Sequence, residues 1–222
     1  MPLKIEVKEV LDWYRENGIP LNRTKIYLSD RFENVRIEEG GVFFPRNLEG
    51  YVFPALDEKE ILVRYVHESA HGSFFENFQI GQTVVNLDKE VDDLEKTLFD
   101  NVKIDNVIAI EKEQLECVSR KLSELEIESL DTRLRNHTVY EVDKNCFEEY
   151  REKSSRLKSI QTKLLPYMEG FSLLVEEKII GQIKRAFPEN YYLEGYDMLK
   201  PLDEGGFQNV IGYLRSLDVT SF

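Results

Sequence analysis

Two of the three histidines in the chain, His67 and His71, stand four positions apart. On an α-helix such side chains share one face about one turn apart, so both imidazoles can bind one metal ion. Glu68 follows the first histidine on a different side of the helix, where its carboxylate can reach a water on that ion. The H-E-x-x-H spacing therefore indicates two neutral imidazoles on zinc and a glutamate as general base. The alternative is an ordinary helix in which two histidines flank Glu-Ser-Ala.

A catalytic zinc site usually has three protein ligands and one open position, and His₂Glu is one standard ligand set. Glu169 follows Pro166 in a segment where the proline indicates a helix start. An acidic residue in a first helical turn is also ordinary capping. A glutamate on a second helix packed against the histidine helix would complete the set, so Glu169 is the candidate third ligand.

The segment Glu169-Gly170-Phe171-Ser172, with Glu176, has the form E-G-[FLW]-[AS]-x-x-x-E. With the histidine motif, it resembles the gluzincin metallopeptidases, which include the thermolysin-like and aminopeptidase N-like enzymes and smaller peptidase-MA relatives. The resemblance implies that Glu169 is the zinc ligand and that Gly170 permits close helix packing beside the metal.

The chain departs from the gluzincin pattern in two ways. Residues 72–168 separate the second histidine from Glu169, a longer interval than in the common gluzincins. A long excursion costs little more closure entropy than a short one, so an insertion accounts for it. The substrate-amine motif Gly-Ala-Met-Glu-Asn of true aminopeptidases is missing. Residues 40–44 are expected on the corresponding edge strand, but they contain no glutamate to hold a free N-terminus.

Tyr192-Leu193-Glu194-Gly195 has the form Y-x-x-G, which follows the ligand glutamate in the aminopeptidase N-like group. By this resemblance Tyr192 is the candidate oxyanion donor, since a phenol near the metal can donate to a developing negative charge. Tyr191 and Tyr196 are alternatives, and all three tyrosines could instead serve only in packing. His137 lies in a predicted turn, and a surface position accounts for it more simply than zinc ligation.

Hydrophobic periodicity predicts the elements that position these residues. A helix is expected from Ile5 to Tyr14, and three short strands at 25–29, 42–44 and 51–53 predict a small, largely antiparallel sheet. Asp57 and Glu60 have capping-box spacing and begin a helix of roughly five turns that carries the histidines.

Residues 87–162 contain no glycine or proline and repeat apolar residues at helical spacing, which predicts a long helical insertion. The predicted fold class is α+β, mostly α. A small N-terminal antiparallel sheet packs on the histidine helix, followed by the insertion and C-terminal helices, in one domain over 1–222. The insertion is interpreted either as scaffold or as a lid, a substrate platform or a surface for homo-oligomer formation.

The net charge of −13, without a cluster of Lys and Arg, argues against nucleic-acid binding and against anionic membranes. No signal peptide or bilayer-length apolar run is evident. Cys117 and Cys146 are too few for a disulfide scaffold and are expected to be reduced. These features predict a cytoplasmic protein.

Together the motifs predict a zinc metallopeptidase with one Zn²⁺ per chain and a peptide or protein substrate. Cobalt, manganese or iron could also occupy such a ligand set. A rival prediction is a catalytically inert zinc-binding protein that keeps the gluzincin site and uses the insertion for partners or oligomerisation. A third is a helical protein without metal. The substrate and the bond cut are left open.

Overall fold

A computed structural model describes most of the chain. The described residues are 7–28, 40–55, 57–99, 107–111, 139–181 and 190–218. The predictions made for His137 and Cys117 lie outside these ranges, and the side chain of Tyr191 is likewise not described.

Helices dominate this part of the chain, and the predicted α+β, mostly α class is confirmed. In chain order the elements are α1 (Val7–Glu16), β1 (Lys25–Leu28), β2 (Gly41–Phe44), β3 (Glu49–Val52), α2 (Glu58–Asn77), α3 (Gln79–Phe99), β4 (Val107–Glu111), β5 (Val139–Asp143), α4 (Lys144–Ile180), α5 (Asn190–Glu204) and α6 (Phe207–Ser216).

The N-terminal sheet is mixed, which corrects the predicted antiparallel arrangement. Its order is β1-β3-β2, with β1 parallel to β3 and β2 antiparallel to it. A two-residue turn would have forced β1 and β2 into a hairpin. Residues 29–40 separate β1 from β2 in the sequence, so no tight turn forces these two strands to pair. In the described residues, β2 therefore pairs with β3 only and forms one edge.

Helix α2 begins where its sequence predicts. The Asp57 side chain accepts a hydrogen bond of 2.9 Å from the backbone N–H of Lys59, which satisfies one of the unpaired donors at a helix start. The full capping box does not form, because the Glu60 carboxylate pairs instead with Arg64 one turn later. The residues from Val66 to Glu76 are buried, so the histidine segment lies in the best-packed part of this helix.

Helix α4 runs through Pro166, so the predicted helix start at this proline is wrong. A proline inside a helix costs about 3 kcal/mol, and the packing of so long a helix outweighs that cost. Helix α5 crosses α4 at this point. A methyl group on Gly195 would lie 1.7 Å from the Pro166 carbonyl oxygen, and one on Gly170 would lie 2.2 Å from the Gly195 carbonyl carbon. The backbones of the two helices thus touch beside Glu169, as expected for Gly170.

The chain divides into two compact units, one of residues 1–85 and 160–222 and the other of residues 86–159. The second unit includes the antiparallel pair β4–β5, so the prediction of a wholly helical insertion is wrong there. Both strands are rich in Val, Ile and Tyr, which favour strands. Leucines elsewhere in residues 87–162 recur at helical spacing, so the whole segment was predicted to be helical despite the strand preference of these residues. Among the described helices, none is long and apolar enough to cross a membrane.

Candidate metal centre

The three predicted metal ligands converge in the first unit. His67 and His71 lie on α2, and Glu169 comes from α4. The two Nε2 atoms are 3.0 Å apart, and Glu169 Oε2 lies 3.3 Å from His67 Nε2 and 3.6 Å from His71 Nε2. All three residues are buried, and their ligand atoms lie close enough together to hold one metal ion.

These distances fit a tetrahedral ion. When metal–ligand bonds are about 2.0–2.1 Å long, as for zinc, the ligand atoms of a tetrahedron lie roughly 3.3 Å apart. The three observed separations of 3.0, 3.3 and 3.6 Å fall on both sides of that value. The side chains therefore need only small adjustments to share an ion.

Aromatic packing brings the two helices together. The ring of Phe171, two residues after Glu169, lies 5.9 Å from the ring of Phe74 and 5.5 Å from that of Phe78. All three rings are buried, and such aromatic contacts add to the apolar area that α2 and α4 bury against each other. This cluster lies within a few residues of the ligands on both helices, so it helps to set their separation.

His67 is oriented by a second carboxylate of α4. Its Nδ1 lies 2.6 Å from Glu176 Oε1, and Glu176 is almost fully buried. Burial by itself lowers the pKa of His67, but hydrogen bonds and negative charge from Glu169 and Glu176 raise it to about 10. The surroundings of this ring thus stabilise positive charge, which a metal ion can supply as well as a proton.

His71, on α2, has a hydroxyl partner on α4. Ser172 Oγ lies 3.2 Å from His71 Nδ1 and donates a hydrogen bond of 3.0 Å to the Met168 carbonyl. A serine hydroxyl has one hydrogen, so while it donates to the carbonyl it can only accept from the imidazole. His71 then carries its proton on Nδ1.

When both rings are neutral, these acceptors place each Nε2 lone pair towards the centre of the cluster. Two such lone pairs 3.0 Å apart, with a carboxylate oxygen beside them, repel one another unless a metal ion lies between them or His67 is protonated, as its raised pKa allows. Histidine ligands of metals are typically fixed in this way by an acceptor on the other ring nitrogen. Glu169, Ser172 and Glu176 supply the candidate ligand and both acceptors from one helix.

The motif contained Ser172 and Glu176, but sequence reasoning assigned no role to either. Positions i, i+3 and i+7 share a helix face, so the spacing of Glu169, Ser172 and Glu176 was a usable signal. What the spacing could not reveal is which ring each side chain contacts.

Glu68 is buried beneath the sheet. A methyl group on Gly41 of β2 would lie 2.5 Å from Glu68 Oε1, and one on Gly50 of β3 would lie 3.2 Å from Glu68 Cβ. Glu68 is absent from the set of converging ligand atoms, as its position on a different side of α2 predicts.

Of the candidate tyrosines, Tyr192 is placed beside the ligands. Its ring centroid lies 6.3 Å from that of His67, and the side chain is partly exposed. The Tyr196 hydroxyl instead donates a hydrogen bond of 2.9 Å to Glu177, which also pairs with Lys200. That hydroxyl is therefore engaged in a separate ion-pair cluster.

Comparison with protein-family models, with curated proteins and with solved structures finds no match to this chain. The chemistry of the site must therefore be argued from its own residues. Two imidazole nitrogens and one carboxylate oxygen form a donor set that suits several divalent transition metals, zinc among them.

Proposed function

We propose that this protein is a zinc-dependent peptidase. The observation that supports this most directly is the convergence of His67, His71 and Glu169 from two helices, with an acceptor beside the Nδ1 of each imidazole and both Nε2 atoms facing Glu169. One Zn²⁺ per chain would bind there. A zinc ion in such a site lowers the pKa of a water molecule and polarises a carbonyl group.

The residues of the chain supply the proton chemistry. Glu68 accepts a proton from the attacking water and delivers it to the leaving amine nitrogen as the C–N bond breaks, which regenerates the carboxylate. Tyr192 donates a hydrogen bond to the carbonyl oxygen as negative charge develops on it. Support for these roles comes from the position of Glu68 directly after His67 and from the proximity of the Tyr192 ring to His67.

The edge of the sheet offers a route for substrate binding. In the described residues, β2 lies at one edge of the sheet and pairs with β3. Phe43 of this strand lies beside the site, with its ring 6.2 Å from that of His71. An extended peptide can add to such an edge through backbone hydrogen bonds. A peptide or protein substrate is therefore part of the proposal.

The test separates the base from the ligands. We expect Glu68→Gln to keep one zinc per chain and to lose hydrolysis of an unstructured peptide by a factor of about 10³ or more, since the amide cannot accept the proton. Glu169→Ala should lose the metal in an elemental assay. If Glu68→Gln turns over peptide at the wild-type rate, Glu68 is not the general base. If Glu169→Ala retains all of its zinc, Glu169 is not a metal ligand.

One observation favours a second candidate function, an inert zinc-binding protein that acts through partners or self-association. His67, His71, Glu68 and Glu169 are each only 4–6% exposed. Little of the site therefore faces solvent. A zinc-loaded, oligomeric protein that hydrolyses no member of a broad peptide library would support this alternative.

A further inference from the structure

Glu68 lies along two glycines of the sheet. A methyl group on Gly50 would lie 3.2 Å from Glu68 Cβ. A methyl group on Gly41 would lie 3.0 Å from both Cγ and Cδ and 2.5 Å from Oε1. The Cβ atom of Glu68 therefore lies beside Gly50, and its carboxylate lies beside Gly41.

Neither glycine is required by the backbone conformation. The described glycines with positive φ are Gly18, Gly40, Gly181 and Gly206, so Gly41 and Gly50 adopt conformations open to any residue. Glycine in a strand interior costs stability, because it buries no side chain and loses more entropy than other residues. What the two positions provide is the space that a side chain would fill.

We infer that Gly41 is a positioning residue for the carboxylate of Glu68, with Gly50 supporting the stem of the same side chain. This inference rests on the proposed function, because it assigns to Gly41 the alignment of the general base. Gly41 is not one of the candidate metal ligands, and we assign it an action through Glu68.

The geometry sets the size of the effect. Ordinary carbon–oxygen contact begins near 3.4 Å, and a Gly41 methyl would stand 2.5 Å from Oε1. If Glu68 alone yields, its carboxylate must move by about 0.9 Å, and a misplacement of about 1 Å costs roughly 100-fold in rate.

The first measurement is steady-state hydrolysis by zinc-loaded Gly41→Ala. We expect kcat to fall about 100-fold with one zinc per chain retained and KM within about threefold. Gly205→Ala is the matched control, because its methyl would meet the Asn209 side-chain nitrogen at the same 2.5 Å distance. Gly205 belongs to neither the ligand set nor the sheet, so this variant should retain activity.

Gly50→Ala provides a graded comparison. Its methyl would lie closest to the Cδ1 atom of Ile26, at 2.6 Å, and would meet Glu68 Cβ and Phe43 Cδ2 at 3.2 Å. The end of a flexible side chain can yield, so kcat should fall less than in Gly41→Ala.

A mutant cycle shows whether Gly41 acts through Glu68. In the Glu68→Gln background, adding Gly41→Ala should cause no further loss of the residual activity, since the base is already absent. If Gly41→Ala instead lowers the activity of the wild type and of Glu68→Gln by the same factor, its effect is a general structural defect. That result would overturn the inference. Wild-type turnover in Gly41→Ala would overturn it as well.

A stability cycle gives a readout that does not depend on turnover. Gly41→Ala should lower the urea midpoint of the wild type but not that of Glu68→Ala, which lacks the clashing atoms. Equal losses in both backgrounds would refute the contact itself. If the contact is present but the wild type hydrolyses no peptide, the peptidase proposal fails, and the catalytic role of Gly41 fails with it.

Discussion

Replacing Glu176 with glutamine tests whether the proposed metal site depends on the orientation of His67. The Glu176 carboxylate accepts from His67 Nδ1 at 2.6 Å, and its residue is 1% exposed, so solvent screens this contact very little. Glutamine keeps the volume and one oxygen that can accept the same hydrogen bond. It removes the negative charge that favours positive charge on the ring.

The expected loss follows from the contact. A hydrogen bond to a carboxylate is roughly twice as strong as one between neutral groups. Loss of a partner that orients a metal ligand typically weakens metal binding about 10- to 100-fold, or about 1.4–2.7 kcal/mol. Ser172→Ala removes a neutral partner at 3.2 Å from His71, so its effect should be smaller, about tenfold or less. Zinc affinity should therefore decrease in the order wild type, Ser172→Ala, Glu176→Gln.

Competition with a chromophoric chelator at fixed pH measures the zinc dissociation constants. Glu177→Gln is the matched control, because it makes the same change one residue along α4 but contacts Tyr196 and Lys200 instead of a histidine. It should bind zinc within about twofold of the wild type, since Glu177 contacts no histidine and solvent partly screens the charge of its half-buried pair.

Two outcomes would refute the reasoning. If Glu176→Gln and Glu177→Gln weaken zinc binding equally, the loss of negative charge explains the effect and the hydrogen bond to His67 does not. Wild-type affinity in Glu176→Gln would mean that the bond to His67 does not support the metal site.

Two further predictions concern the oxyanion and the stability of α2. Tyr192→Phe should lower kcat about 100-fold with zinc retained, as expected for loss of one oxyanion donor, while Tyr196→Phe should remain within about twofold in the same assay. Equal rates for the two variants would contradict the assignment. The buried Glu76 carboxylate accepts from the backbone N–H groups of residues 22–24, at 2.9–3.1 Å. Glu76→Gln turns one acceptor into a donor and should cost about 2–4 kcal/mol in urea unfolding, whereas Glu148→Gln at an exposed pair should cost under about 1 kcal/mol. A Glu76→Gln variant as stable as Glu148→Gln would show that this contact is not stabilising.

Elements of the fold fixed by interactions between residues near each other in the sequence were predicted correctly, whereas those fixed by contacts between distant segments were not. Helix α2 could be predicted because its cap at Asp57 and its apolar stripe are local signals. The helix in turn places His67 and His71 on one face. The strand β1 was also found from local composition, but not its parallel partner, because strand order depends on where a distant segment crosses the sheet.

The errors share this cause. Pro166 is a local signal for a helix start, yet α4 continues through it because the gain from packing exceeds the local cost. The strands β4 and β5 lay in a segment whose leucines repeat at helical spacing. They stabilise each other only as a pair, which periodicity along one segment does not detect.

By itself, the sequence determined the chemistry of the donors and their spacing along each helix: two imidazoles one turn apart on α2, and a ligand with two potential acceptors on one face of α4. Only the tertiary structure decided that these faces meet, that Glu176 contacts His67 and Ser172 contacts His71, and that Glu68 lies against Gly41. The physical reason is that spacing fixes directions within one helix, whereas contact between helices depends on the packing of apolar surfaces such as Phe74 against Phe171.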